Sequence, residues 1–265
     1  MQSKQPVRIL LIGLGLVVAL GLVFAHETSL FAATTVSGQI PLRANGLFAQ
    51  VVITPTKDNT LYESSGAQFS NGKGENLFVG NTAMNSARRA LLAFDIAGQL
   101  PADATIISAT LQLQMSKTAA GAQSLSLHRV QSDWGEGTSD AGGNEGGGTT
   151  PTTGDATWVH QFFDTQLWQT PGGDFVVTGT ATTTVNNIGV YIWRSPQMVA
   201  DLQSWLNAPT TNFGWILLGN EAQTTSTKRF GARENSTPAN RPQLTIVYQS
   251  AQSGLHFVYL PLAQK

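Results

Sequence analysis

Apolar and polar residues alternate with a period of two through much of this chain. From Ile107 to Met115, Ala109, Leu111, Leu113 and Met115 fall on one face, and Thr110, Gln112 and Gln114 on the other. That is the pattern of a half-buried antiparallel strand. Ser124 to Val130 repeats it with Leu125 and Leu127 inward. Arg88 to Ile96, RRALLAFDI, is apolar on both faces at its centre, which predicts an inner strand. Shorter strands are expected at Gln50–Thr54, Leu61–Glu63, Leu77–Val79, Val176–Val185, Gly189–Trp193, Trp215–Leu218 and Leu244–Tyr248. Proline, glycine, asparagine and aspartate place turns at Pro55–Asn59, Pro101–Asp103 and Trp168–Asp174.

One segment has helical spacing. Ser195 can cap it, Pro196 fits the first helical position, and Val199, Leu202, Trp205 and Leu206 form one stripe. The expected helix covers about 195–207. With no alternation of strands and helices, the pattern predicts an all-β protein. Its architecture is an antiparallel jelly-roll β-sandwich of roughly eight to ten strands, with one short α-helix. Gly135–Gly154 has almost no apolar residues and reads as a long surface loop. Asn212–Tyr248 reads as the closing hairpin of the sandwich, with its charges in the connection.

The ends change the picture. Lys4 and Arg8 precede an unbroken apolar and glycine run, Ile9 to Phe24, and Val23-Phe24-Ala25 suits signal peptidase. Residues 1–25 are expected to be an export signal, the alternative being an uncleaved membrane anchor through residues 9–24. Residues 26–49 read as a linker, 50–248 as the sandwich, and 249–265 as a tail. In the tail, His256–Leu260 could form an extra strand that folds back or mediates self-association by strand addition. Charged residues are only 12% of the chain, against about 25% typically, and the net charge is −1. No basic excess exists for nucleic-acid binding. With no cysteine there is no disulfide and no thiolate chemistry. A secreted or cell-surface location is expected.

Several pieces in order carry a family resemblance. They are Asp58-Asn59-Thr60-Leu61-Tyr62-Glu63, Arg88 to Asp95, Asp103-Ala104-Thr105-Ile106 before ATLQLQM, and Trp134-Gly135-Glu136-Gly137. They continue with Ala156-Thr157-Trp158, Trp168 with Gly172-Gly173-Asp174, NFGWILLGNE, KRFGARE and RPQLTIVY. Together, from about Gln50 to Tyr248, they resemble the DNRLRE domain, also classed as carbohydrate-binding module family 96; the literal string DNRLRE is DNTLYE here. The resemblance implies an exported bacterial jelly roll. Its relatives often sit beside polysaccharide lyases or glycosidases, and some are linked to alginate-type glycans.

Glycan binding uses aromatic faces for sugar rings and planar polar groups for hydroxyls. Trp134 and Trp168 are candidates to stack on sugar rings. Lys228, Arg229, Arg233 and Arg241 are candidates to read the carboxylates of an acidic polysaccharide, unless they pair internally with acids such as Glu221 or Glu234. Asp58, Asn59 and Glu63 are one candidate oxygen set for a structural Ca²⁺, and Asp133, Glu136, Asp140 and Glu145 another. Catalysis has little to build on: four scattered histidines, no HExxH and no GxSxG. The expected function is a non-catalytic extracellular polysaccharide-binding module. A structural surface, adhesin or filament subunit is the alternative, and a polysaccharide-degrading enzyme a distant third.

Overall fold

The computed structural model describes residues 48–250. The expected export signal or anchor, nearly all of the linker and the strand at 256–260 lie outside the described residues. Among those described, no helix is long and apolar enough to cross a membrane.

In chain order the strands are β1 (Phe48–Ile53), β2 (Lys57–Tyr62), β3 (Asn76–Asn81), β4 (Ala87–Ala93), β5 (Thr105–Thr118) and β6 (Gln123–Arg129). They continue with β7 (His160–Phe162), β8 (Gln166–Leu167), β9 (Ala181–Val185) and β10 (Gly189–Trp193). The helix α1 (Pro196–Asn207) follows, then β11 (Trp215–Leu218), β12 (Lys228–Gly231) and β13 (Gln243–Gln249). All described pairings are antiparallel. One face is built on β5: β13 and then β12 pair along one edge, β10 along the other, with β1 beyond β13 and β3 beyond β12. The other face runs β2–β4–β11–β6–β9. β3 turns the corner between them, since Gly80 and Asn81 also pair with Arg88 and Ala87 of β4. The result is the all-β, jelly-roll-like sandwich with one helix that the alternation predicts.

The main core lies between the faces. Leu111, Leu113, Met115, Trp193, Phe230, Leu244 and Ile246 from one meet Ala90, Leu92, Leu125, Leu127, Trp215 and Leu217 from the other. The helix closes one end. Ser195 caps it as expected, accepting from the Met198 amide at 3.0 Å and donating to Thr180 O at 2.5 Å. Its buried stripe is Met198, Leu202, Trp205 and Leu206, with Asp201 among them. Asp201 is held by the indole of Trp215 at 2.9 Å, the hydroxyl of Thr180 at 2.8 Å and the amide of Gln197 at 3.1 Å.

A third layer explains why β4 is apolar on both faces. Alternate residues of β4 and β11 point out of the sandwich: Leu91, Ala93 and Ile216, joined by Leu61 of β2. The long excursion after β6 covers them with Trp134, Ala156, Trp158 and Trp168. Each such large side chain taken from water contributes about 1.5–3 kcal/mol. Arg89 clamps the layer at its rim, with its guanidinium 4.7 Å from the Trp158 ring and a two-pronged bond to Glu221 at 2.7 and 2.8 Å.

Four expectations are corrected. Lys57-Asp58-Asn59 is strand rather than turn, because β2 pairs with β4 from Lys57 onward. The strand expected over Val176–Val185 forms only at Ala181–Val185. Gly135–Gly154 packs despite its polarity: Ser139 and Ala141 are buried, and Glu145 accepts from the amides of Glu75 and Asn76 and from Asn71 Nδ2. Backbone and carboxylate bonds hold it where apolar residues are lacking. Finally, Asn212–Tyr248 is no hairpin. β11 lies between β4 and β6, while β13 pairs β1 and β5 on the opposite face.

Candidate functional site

Four charged residues gather where the start of β2, the turn after Trp134 and the turn after β12 meet. Trp134 anchors the middle piece; it is fully buried, and its indole donates to Phe213 O at 2.9 Å. Three residues on, Gly137 has φ of +70°, and a Cβ there would fall 1.4 Å from Asp155 Oδ1. Only glycine lets the chain turn past that carboxylate. This brings Glu136 against Asp58, whose amide donates to Glu136 Oε1 at 2.8 Å. Arg233 completes the group. Its amide donates to Asp58 Oδ2 at 2.7 Å, and its guanidinium grips both oxygens of Glu136, at 3.1 and 2.6 Å. It also pairs with Glu234.

Three carboxylates here face one guanidinium. Burial, then the nearby charge of Glu234, holds the Asp58 carboxyl well above the usual carboxylate range. Glu234 is also raised, first by burial and then by Glu136, against the pull of Arg233. Burial works against charge on Arg233, but its bond to Glu136 and the charges of Glu136, Glu234 and Asp58 together raise it. Glu234 Oε2 is buried with no hydrogen-bond partner among the described residues.

Oxygens of Asp58, Glu136 and Glu234 lie within 4.8 Å of one another, close enough to share one divalent cation. Arg233 already occupies both oxygens of Glu136, however. As built, the cluster fits a guanidinium better than a cation. The set Asp58, Asn59 and Glu63 is not gathered at all. Asn59 Oδ1 accepts from the amides of Thr60 and Asn71 at 2.7 and 3.2 Å, while Glu63 Oε2 accepts from the Ala87 amide at 2.6 Å. Strand alternation sends Asp58 and Asn59 to opposite sides, which a turn would not have done.

The six proposed sugar contacts separate sharply. Trp134 and Trp168 are packing residues, 0% and 4% exposed, so neither offers a ring face to a sugar. Trp168 spends its N–H on Thr157 O at 2.9 Å. Lys228 is 0% exposed, and its Nζ donates to Thr118 Oγ1, Ala120 O and Gly121 O, each at 2.6 Å. It ties the β5–β6 turn, and burial lowers its pKa. Arg233 belongs to the carboxylate cluster. Arg241 donates from Nε to Asn235 O at 2.8 Å.

Arg229 is different. It lines two adjoining clefts, of about 420 and about 250 Å³, on the surface where β12, β3 and β5 meet. Its Nε donates to Ser116 Oγ at 2.9 Å, and among the described residues it has no ion pair. Asn76, Asn235 and Asn240 line the larger cleft; Lys117, Asn144 and the edge of Phe78 line the smaller. The acids of the larger cleft are engaged, Glu145 as above and Glu75 by Ser236 at 3.1 Å. The trough thus offers amides, hydroxyls and two cations, beside the hydrogen-bonded carboxylates of Glu75 and Glu145. Lys117 and the four asparagines had no signal in the sequence beyond being polar, because they come from segments far apart in the chain.

Residues 49–140 match the family model of carbohydrate-binding module family 96, so that stretch of the chain is family 96-like. The matched stretch holds β1 to β6, Asp58 and Glu136 of the cluster, and Asn76, Phe78, Ser116 and Lys117 of the trough. No curated protein matches the chain.

Proposed function

We propose that this protein is a non-catalytic, exported polysaccharide-binding module, and that the trough at Arg229 receives a glycan bearing carboxylates. The family 96 match supports carbohydrate as the ligand class. The observation that carries the site is the Arg229 guanidinium, paired with no acid among the described residues and opening on two clefts lined by planar amides. A guanidinium fork matches a carboxylate, and amides match vicinal hydroxyls. Lys117, exposed at the rim, adds a second positive charge. With the tryptophans used in packing, recognition here is polar rather than by stacking.

The test is affinity electrophoresis or a glycan array with uronic-acid and neutral polysaccharides. Binding to uronic-acid polymers, weakened at least about tenfold by Arg229→Ala, is expected from the loss of a charge-assisted contact. Binding to no polymer, or equal binding by the variant, would overturn the assignment. Release of reducing ends or unsaturated sugars would overturn the non-catalytic reading.

A further inference from the structure

A cavity of about 640 Å³ lies away from the trough, where β5 and α1 diverge. β10 pairs with β5 from Gly189 opposite Met115 to Trp193 opposite Leu111, and there the chain leaves the sheet to form α1. Upstream of Leu111, that edge of β5 has no strand partner among the described residues. The other edge stays paired with β13 down to Thr105. At the foot of the open edge the Ile106 amide takes a side-chain acceptor instead, Gln203 Oε1 of α1 at 2.9 Å. Between these points Ile107 to Thr110 form one wall of the groove, and Pro196 and Val199 of the helix form the other. Ile107 is 46% exposed in it. An open strand edge beside a helix accepts an extended peptide by strand addition.

The chain itself supplies a fitting segment. Gln249 pairs with Thr105, so the described chain ends at the foot of β5. From there to the groove is two strand spacings, about 10 Å. Residues 251–255, extended, reach about 16 Å. Next comes His256-Phe257-Val258-Tyr259-Leu260, strand-forming and apolar, as long as the open edge from Ile106 to Thr110. Pro261 follows, which has no N–H and stops a ladder at Leu111, where Trp193 ends β10. We propose that His256–Leu260 lies in this groove as a strand parallel to β5, continuing the line of β10.

The absence of cysteine makes the test clean. In the full chain, Ser108→Cys or Thr110→Cys is combined with Val258→Cys or Tyr259→Cys and oxidised gently. A disulfide within one chain is expected for at least one pair, since bridged residues sit with Cα atoms about 5.5 Å apart. In parallel, Phe257→Asp should speed amide exchange at Ile107–Thr110 at least about tenfold and leave β6 unchanged. Cross-links found only between chains would place the segment on a second copy and overturn the proposal. So would no cross-link in any pair together with unchanged exchange.

Discussion

Arg233 holds both carboxylate oxygens of Glu136 in a two-pronged grip, 3.1 Å from Nε and 2.6 Å from Nη2, although the two residues are 97 positions apart. The guanidinium stands where a metal ion would otherwise stand among three carboxylates. Arg233→Ala should therefore lower the melting temperature and leave three acids within mutual reach. Added Ca²⁺ is expected to restore much of the loss in that variant, while chelator leaves the native protein unchanged. A native protein whose melting temperature falls with chelator would show that the cation coexists with Arg233.

The same cluster sets a pH dependence. Asp58 is raised by burial and by Glu234, with Glu136 adding and Arg233 opposing. A carboxyl raised on folding contributes stability that is full below the ordinary carboxylate range and is lost as pH rises through the raised value. Asp58→Asn keeps the acceptor for the Arg233 amide and removes the charge. The melting temperature of the variant, relative to the native chain, should thus climb as pH rises above the ordinary carboxylate range and through the raised value of Asp58. A flat difference curve would mean that Asp58 carries no extra proton.

Neighbouring residues of β12 should behave oppositely. Lys228→Met leaves the carbonyls of Ala120 and Gly121 without their donor and should cost about 1–3 kcal/mol in urea unfolding. Arg229→Ala should stay within about 0.5 kcal/mol of the native chain and act on glycan binding instead. Comparable destabilisation by both would remove the distinction between a turn clamp and an open recognition group.

Asp201 is the buried acid on which the helix and two strand-side groups converge. Asp201→Ala strands the Trp215 indole and the Thr180 hydroxyl, and should cost about 2–4 kcal/mol. Asp201→Asn retains an acceptor and should cost less. Equal losses would point to the charge itself rather than to the hydrogen bonds.

Much of this architecture was legible from periodicity. The strand at Ile107–Met115, the inward Leu125 and Leu127, and the capped helix at Ser195 each rest on local spacing, and local spacing is what a sequence displays. The double burial of Leu91 and Leu92 was legible too, though not the identity of its outer cover. The site was harder to read. Trp134 and Trp168 look like sugar platforms until the third layer turns them inward. Lys228 and Arg229 look equivalent in the string KRF, yet strand alternation sends one into a turn and the other into a trough. Glu136 joins Arg233 across 97 residues, and no spacing rule reaches that far. Pro55 and Asn59 are both turn formers, yet pairing with β4 outweighs them and makes Asp58 and Asn59 strand.

The interleaving of strands bears on how this fold can be cut and passed on. Residues 49–140 contribute six strands, yet the only pairings among those six are β2 with β4 and β3 with β4. β1, β5 and β6 have every described ladder partner in the second half of the chain. An expression fragment drawn at the edges of the family match would be a set of half-zippers. In recombination, too, the inheritable unit is the whole span from Phe48 to Gln249, because a crossover near residue 140 parts β1, β5 and β6 from their ladder partners.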